Sequence, residues 1–395
     1  MKLTQFLQSS SLTAPIERKD GENLYTVLKR RIDKHIENVT TLEKHSCYDK
    51  EKLLDELKSG SELLLASLEL ALRGRLSKAY SKFEKGIVSF KPQTDGAIRT
   101  ISDLAERPSG DERPISPGIL YRMRCSKIGF DDPNELFHIP FEQRHLVGSK
   151  RFSIPGVPCL YTAGSSFACW EEMGRPAFNE LHVCALWKAK QAQIKYLDLR
   201  WSQSIMALPF KSMRADADLD EDEHGKSLLD TIRLLHLAHF IKMWPLIALC
   251  TVKVKRRNSS FIPEYLVPQM VMEWVGESED IDGVAYLSTH IPFAKSKSIV
   301  EFSNYAFPAK KIMETGYCSS LSSKFHQTAP RQWSLFNATR PKVDQGGNFE
   351  FNLIPELPLM YGETDFGLVD SVLLQIARVN DVEGAFIGCG RASPR

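Results

Sequence analysis

Residues 151–172 read RFSIPGVPCLYTAGSSFACWEE, and within them stand one arginine (Arg151), one tyrosine (Tyr161) and two adjacent carboxylates (Glu171 and Glu172). A guanidinium grips a phosphate or ribose oxygen bidentately, a tyrosine ring packs flat against a heteroaromatic base, and a carboxylate stabilises positive charge developing on a sugar ring. Together these groups suit cleavage of the bond between nicotinamide and ribose in NAD. The dissociative transition state of that reaction places charge on the ribose, and a fixed negative group beside it supplies what is usually the largest catalytic contribution. The same residue types are common on folded surfaces. A surface ion pair worth about 0–1 kcal/mol between Arg151 and a glutamate, and a core tyrosine at position 161, are the competing readings.

The elements that must hold these groups are legible around them. Pro155 to Pro158 predict a turn, CLYTA a strand, and Ser165 or Ser166 the N-cap of a helix carrying both glutamates. One residue of helix register is about 100°, so only one of Glu171 and Glu172 points into a cleft. Strand-like runs recur at ILYRMR, LHVCALWKA, IKYLDLRW, EYLVPQMVMEWV, GVAYLST and SIVEFSNYAF, and a helical stretch runs from about Ser227 to Leu249. This mixture reads as α+β, with strands spaced too irregularly for a repeating βαβ barrel. Upstream, from about Gly21 to Phe90, leucines at helical spacing predict a bundle of two or three helices. Ser59-Gly60-Ser61 is expected to interrupt it, with Ser61 capping the second long helix. Prolines at 92, 108, 114 and 117 then suit an extended connection, with a domain boundary near residues 105–116. The tail from about Lys324 carries turn-rich pieces and one helix-like segment near Gly367 to Val379.

The ordered motifs LYR (Leu120 to Arg122), RFSIPG (Arg151 to Gly156), YTA (Tyr161 to Ala163), WEE (Trp170 to Glu172), DGVAYLSTH with Ser288, and the Asn304 to Phe307 run resemble the RES domain family over about residues 116–310. That resemblance implies an ADP-ribosyltransferase-like mixed β core with flanking helices, preceded here by an all-α N-terminal bundle. It implies domains at 1–115 (helical, accessory), 116–325 (RES-like, NAD-binding) and 326–395 (an extension of unassigned role). It implies degradation of NAD as substrate, with inorganic phosphate as an optional co-substrate and no metal, in a toxin restrained by an Xre-type helix-turn-helix antitoxin or another inhibitor. Arg151 matches the arginine facing the NAD phosphates or ribose, and Tyr161 the tyrosine on the nicotinamide side. Glu172, eleven residues after Tyr161, matches the catalytic glutamate better than Glu171. Ser288 matches a hydroxyl donor to phosphate or ribose, and Arg122 the arginine of the first strand. A phosphorylase or a glycohydrolase are both implied; the alternatives are transfer of ADP-ribose to a protein or nucleic acid, and a non-catalytic module that binds NAD or ADP-ribose. The bundle adds a weaker resemblance: Arg30 and His35 have the Arg-x4-His spacing of HEPN ribonucleases.

Composition frames these expectations. The 395 residues carry a formal net charge of +2 and 43% hydrophobic residues, ordinary for a folded chain too long for one domain. No global field is present for a nucleic acid or an anionic membrane, so neither partner is expected and an anion must be held by a local site; self-association is compatible with the sequence. The eight cysteines are scattered without zinc-finger spacing, and MKLTQFLQSSSLTAP lacks an apolar signal core, which makes a reducing cytoplasm the expected address. The acidic run Asp216–Glu223 lacks the EF-hand positions of Gly and Glu and reads as a solvated loop. Lys253, Lys255, Arg256 and Arg257 read as a solvated basic face, and His236 and His239, without a metal-binding context, as packed or surface histidines.

Overall fold

The computed structural model describes residues 1–43, 49–90, 97–104, 117–130, 132–200, 228–256, 259–289, 302–338, 350–351, 359–360, 364–384 and 387–388. The expected boundary at 105–116 and the acidic run Asp216–Glu223 lie outside the described residues. The chain divides into two compact units, Met1–Ile98 with Asp198–Trp274, and Arg99–Leu197 with Val275–Arg395. These lines differ from the three segments 1–115, 116–325 and 326–395. The reason lies in two helices and a set of short strands.

Helices α1 (Leu3–Leu7), α2 (Leu24–Thr41), α3 (Lys50–Leu72) and α4 (Leu76–Ser89) open the first unit. After α5 (Ser166–Glu172) in the second unit, the chain forms α6 (Leu228–Cys250) and α7 (Leu266–Glu277). Helix α6 is buried nearly all round from Leu237 to Cys250, so it needs neighbours on every side. It packs on α2 and α3, and the bundle is therefore completed from beyond residue 198. The run EYLVPQMVMEWV, expected as strand-like, forms α7 instead, entered through a 3-10 turn at Pro263–Tyr265. A short apolar run does not by its periodicity separate a buried helix from a buried strand.

Helix α3 also corrects the expected break at Ser59-Gly60-Ser61. It runs unbroken, capped by Asp49, whose side chain accepts from the Glu51 and Lys52 N–H groups. The glycine is needed for packing: a Cβ at Gly60 would lie 2.2 Å from Cε1 of the fully buried Phe90.

In the same unit, Pro245 sits inside α6, and proline has no N–H to return to the carbonyl four residues back. That carbonyl, on Ile241, is met by Nε2 of His35 at 2.8 Å, and the imidazole stacks on Trp244 with centroids 4.7 Å apart. His35 is fully buried, and burial pulls it down to about 4. Arg30 lies exposed and pairs with Glu22. The two residues with HEPN spacing thus share no surface, and His35 is a packing histidine.

The second unit is built on a ten-stranded sheet. Strands β1 (Ile98–Thr100), β2 (Leu120–Cys125), β3 (Cys159–Ala163), β4 (Leu181–Lys188), β5 (Lys195–Asp198), β6 (Gly283–Leu287), β7 (Ser303–Pro308), β8 (Phe325–Gln327), β9 (Arg331–Gln332) and β12 (Ile387–Gly388) make it up, β10 (Glu350–Phe351) and β11 (Leu359–Met360) forming a separate pair. The order is β1-β5-β6-β7-β3-β2-β4-β8-β12, with β9 on β4. The central pairs β6/β7, β7/β3, β3/β2 and β2/β4 are antiparallel, and with the surrounding helices the class is α+β. Strands β8, β9 and β12 come from the expected tail, which is why residues 326–395 belong to this unit. The remaining helices are α8 (Ser319–Ser322), α9 (Trp333–Ala338) and α10 (Asp365–Glu383).

Both faces of the sheet are covered. On one, Leu120, Leu160, Cys184, Tyr305 and Phe307 pack with Phe137 and Phe141. On the other, Tyr121, Ala163 and Val183 pack with Phe167 of α5, Trp333 of α9, and Phe366 and Val369 of α10. Among the described residues no helix is long and apolar enough to cross a membrane.

Candidate active site

Neighbouring strands β6, β7 and β3 end together at one edge of the second face. Their register pairs Tyr161 with Ala306 and Ala163 with Asn304 across β3/β7, and Tyr286 with Asn304 across β6/β7. Side chains two residues apart on a strand share a face, so Tyr161, Ala163, Asn304 and Tyr286 lie on one surface. Asn304 is the diagonal neighbour of Tyr161, a separation of about 7–8 Å that long side chains bridge.

After β3 the chain turns directly into α5. Gly164 donates to the Ser303 carbonyl at 2.8 Å, and the extended Ser165 (φ −153°) caps the helix by accepting from the Ala168 N–H at 3.1 Å. The seven residues of α5 bring Glu172 to its last position, exposed, where Oε1 accepts from Asn304 Nδ2 at 2.8 Å. Glu171, one step round the helix, is buried and held by Arg175 through Nη2 at 3.0 Å and Nε at 3.1 Å. The two adjacent carboxylates therefore have different surroundings: one is tied to an arginine, the other rests on a strand residue beside Tyr161.

Arg151 precedes a tight turn in which Pro155 and Gly156 (φ +77°) are central and the Val157 N–H reaches the Ile154 carbonyl at 3.0 Å. A positive φ after proline is the type II pattern that favours glycine. Phe152 is fully buried and its ring lies 4.4 Å from that of Tyr286. This packing sets the neighbouring Arg151 at the end of β6, where its Nη2 donates to Thr289 Oγ1 at 3.2 Å. Arg151 is nine-tenths buried. Ser288, beside Thr289 and two residues beyond Tyr286, is also buried, its N–H directed at the Phe302 carbonyl at 3.4 Å.

Arg122 stands apart from this group. Its register partner is Cys184, which packs in the core of the opposite face. Nη1 donates to the backbone carbonyl of Tyr161 at 2.6 Å, so Arg122 holds the strand that carries Tyr161. Burial pulls its guanidinium down to about 10, which leaves it charged near neutrality. Burial also pushes the Cys159 and Cys169 thiols up and takes Cys184 to about 12. These thiols stay protonated and offer no thiolate nucleophile.

The structure thus gathers Arg151, Tyr161, Glu172 and Ser288 at one end of three adjacent strands and leaves Glu171 and Arg122 in supporting contacts. It adds Asn304, quoted in the sequence only as part of a run, and Thr289, whose neighbour to Ser288 was the sole signal for it.

Comparison with known proteins gives one relative to set beside this geometry. The chain is 29% identical over 372 residues to "Putative toxin YopC" of Bacillus subtilis (strain 168), a match that covers 92% of this chain and 79% of that protein. No family model matches the chain, and no solved structure does.

Proposed function

We propose that the chain is a toxin whose second unit is an ADP-ribosyltransferase-like, RES-type enzyme that cleaves the nicotinamide–ribose bond of NAD. The carrying observation is the exposed Glu172 carboxylate, held by Asn304 on the strand beside Tyr161, with Arg151 buried at the end of the next strand. Arg151 and the Ser288 hydroxyl take the phosphate or ribose oxygens, and Tyr161 stacks on the nicotinamide ring. Glu172 lies against the ribose as its carbon–nitrogen bond lengthens and positive charge spreads over the ring; Asn304 fixes the carboxylate in advance, so no reorganisation is required. Nicotinamide leaves neutral with the bonding electron pair. Water then supplies hydroxide to the ribose carbon and releases a proton, or inorganic phosphate supplies its oxygen. The similarity to a protein named a toxin supports the biological role, and the family resemblance makes a helix-turn-helix inhibitor the proposed partner.

The test is mass analysis of products after incubation of the purified chain with NAD, with and without phosphate. Nicotinamide together with ADP-ribose or its phosphate is the expected result. Saturable NAD binding with no product would replace the enzyme by a binding module, and label retained on a macromolecule would replace cleavage by ADP-ribosyl transfer.

A further inference from the structure

Helix α5 has seven residues, too few to be stable alone, since helices below about 12–15 residues are marginal in water. Its direction, and therefore the place of Glu172, depends on what holds its ends. The C-terminal end is closed by Glu171 and Arg175. At the N-terminal end Ser165 satisfies the Ala168 N–H, but the first helical N–H, on Ser166, has no partner within the helix. That N–H donates to the Asp370 carboxylate, at 3.1 Å to Oδ1 and 3.3 Å to Oδ2.

Asp370 lies on α10, about 200 residues further along the chain, and is itself buried. Two more bonds fasten the same turn of α10 to the site. Ser166 Oγ donates to the Phe366 carbonyl at 3.3 Å, and Tyr121 of β2 donates through its hydroxyl to the Asp370 carbonyl at 3.0 Å. A carboxylate at this end also complements the helix dipole. The ring of Phe366 packs on Phe167 at 5.3 Å and on Trp170 at 5.4 Å. The C-terminal helix thus touches the glutamate helix through charge, hydrogen bonds and rings at once.

We propose that Asp370 is a positioning residue for the Glu172 carboxylate, making the C-terminal helix an integral part of the site. As a role in catalysis this rests on the NAD-cleaving reading above. The test uses the full-length chain and compares Asp370→Ala, Asp370→Asn and, as a control on the same helix, Ser371→Ala. Two quantities are followed: hydrogen exchange across Ser166–Met173, and kcat and KM for nicotinamide release.

Loss of a buried acceptor leaves the Ser166 N–H unsatisfied. Asp370→Ala is therefore expected to speed exchange in this segment about tenfold or more and to lower kcat about tenfold with KM within about twofold. Asp370→Asn keeps an acceptor oxygen and recovers most of both, and Ser371→Ala changes neither. Should Asp370→Ala not fold, Asp370→Ser, whose hydroxyl is too short to reach Ser166, takes its place with the same expected outcomes. Unchanged exchange at Ser166–Met173, or an unchanged kcat in an active enzyme, overturns the proposal. If the wild-type chain releases no nicotinamide, the reading of the reaction fails by itself, and the exchange comparison still decides whether Asp370 anchors the helix.

Discussion

His35 in the helical unit and Glu172 in the sheet unit each meet an amide-derived group, the first the Ile241 carbonyl and the second the Asn304 side chain. Their surroundings differ in one decisive respect. His35 is closed over by Phe6 and Trp244 and has no exposed surface, whereas Glu172 is exposed beyond its helix. A polar group that is held and closed serves packing; one that is held and open can meet a substrate. The contrast separates a unit whose buried polar groups complete a bundle from a unit whose polar groups converge at one sheet edge.

The largest expected effect tests the open site. Glu172→Gln keeps the shape and the Asn304 contact but removes the charge, and nicotinamide release is expected to fall about 10²–10³-fold in kcat, the usual loss for one electrostatic contributor. A variant as fast as wild type would break the comparison at its centre. Next comes Gly60→Ala, which tests the closed unit. Helix propensity alone would make alanine favourable by about 1 kcal/mol, but the contact with Phe90 reverses the sign. Overpacking is expected to cost about 1–3 kcal/mol in denaturant melts while kcat for the folded protein stays within about twofold.

The third prediction concerns pH. His35 is pulled down to about 4, so below its ordinary value near 6.5 the unfolded chain binds a proton that the folded one refuses. Its contribution is present above about 6.5 and is lost as pH falls from there toward about 4. Between pH 7 and pH 5 this amounts to about 2 kcal/mol of order-of-magnitude stability, measurable as faster exchange in α2 and α6 and flattened in His35→Gln. His138 in the sheet unit is pulled down to about 4 by burial as well, so the probe must be local to the bundle. The smallest effect on the reaction is that of Arg175→Ala. Arg175 is more than half exposed but its partner Glu171 is buried, so the variant leaves a buried carboxylate unpaired and is expected to cost about 1–3 kcal/mol in denaturant melts with KM for NAD within about twofold.

What the sequence revealed follows from how local each signal is. Ser165 is readable as a cap because its side chain bonds three residues away, and CLYTA and LHVCALWKA as strands because their apolar residues form compact β-rich runs between turn signals. Arg151, Tyr161, Glu172 and Ser288 are readable as candidates through ordered motifs, and their joint role is the proposal made above. Gly60 misleads because its reason is a ring thirty residues away, on Phe90 at the C-terminal cap of α4. The run from Glu264 to Val275 misleads because a short apolar run does not by its periodicity separate a buried helix from a buried strand. Asp370 and the His35–Ile241 contact are beyond local reading altogether, since each depends on register between elements about 200 residues apart.

The last of these contacts has a consequence for the newborn chain. His35 and the Ile241 carbonyl are separated by 206 residues, and the second half of the bundle leaves the ribosome only after the first half of the sheet unit has been made. At 5–20 residues per second the delay is about 10–40 s. Through that interval α2 exists without α6, and the imidazole that ends up sealed against Trp244 is wet, unstacked and free to take up a proton. The bundle is therefore a structure that comes before the sheet in the sequence but is completed after the first strands of the sheet have been synthesised.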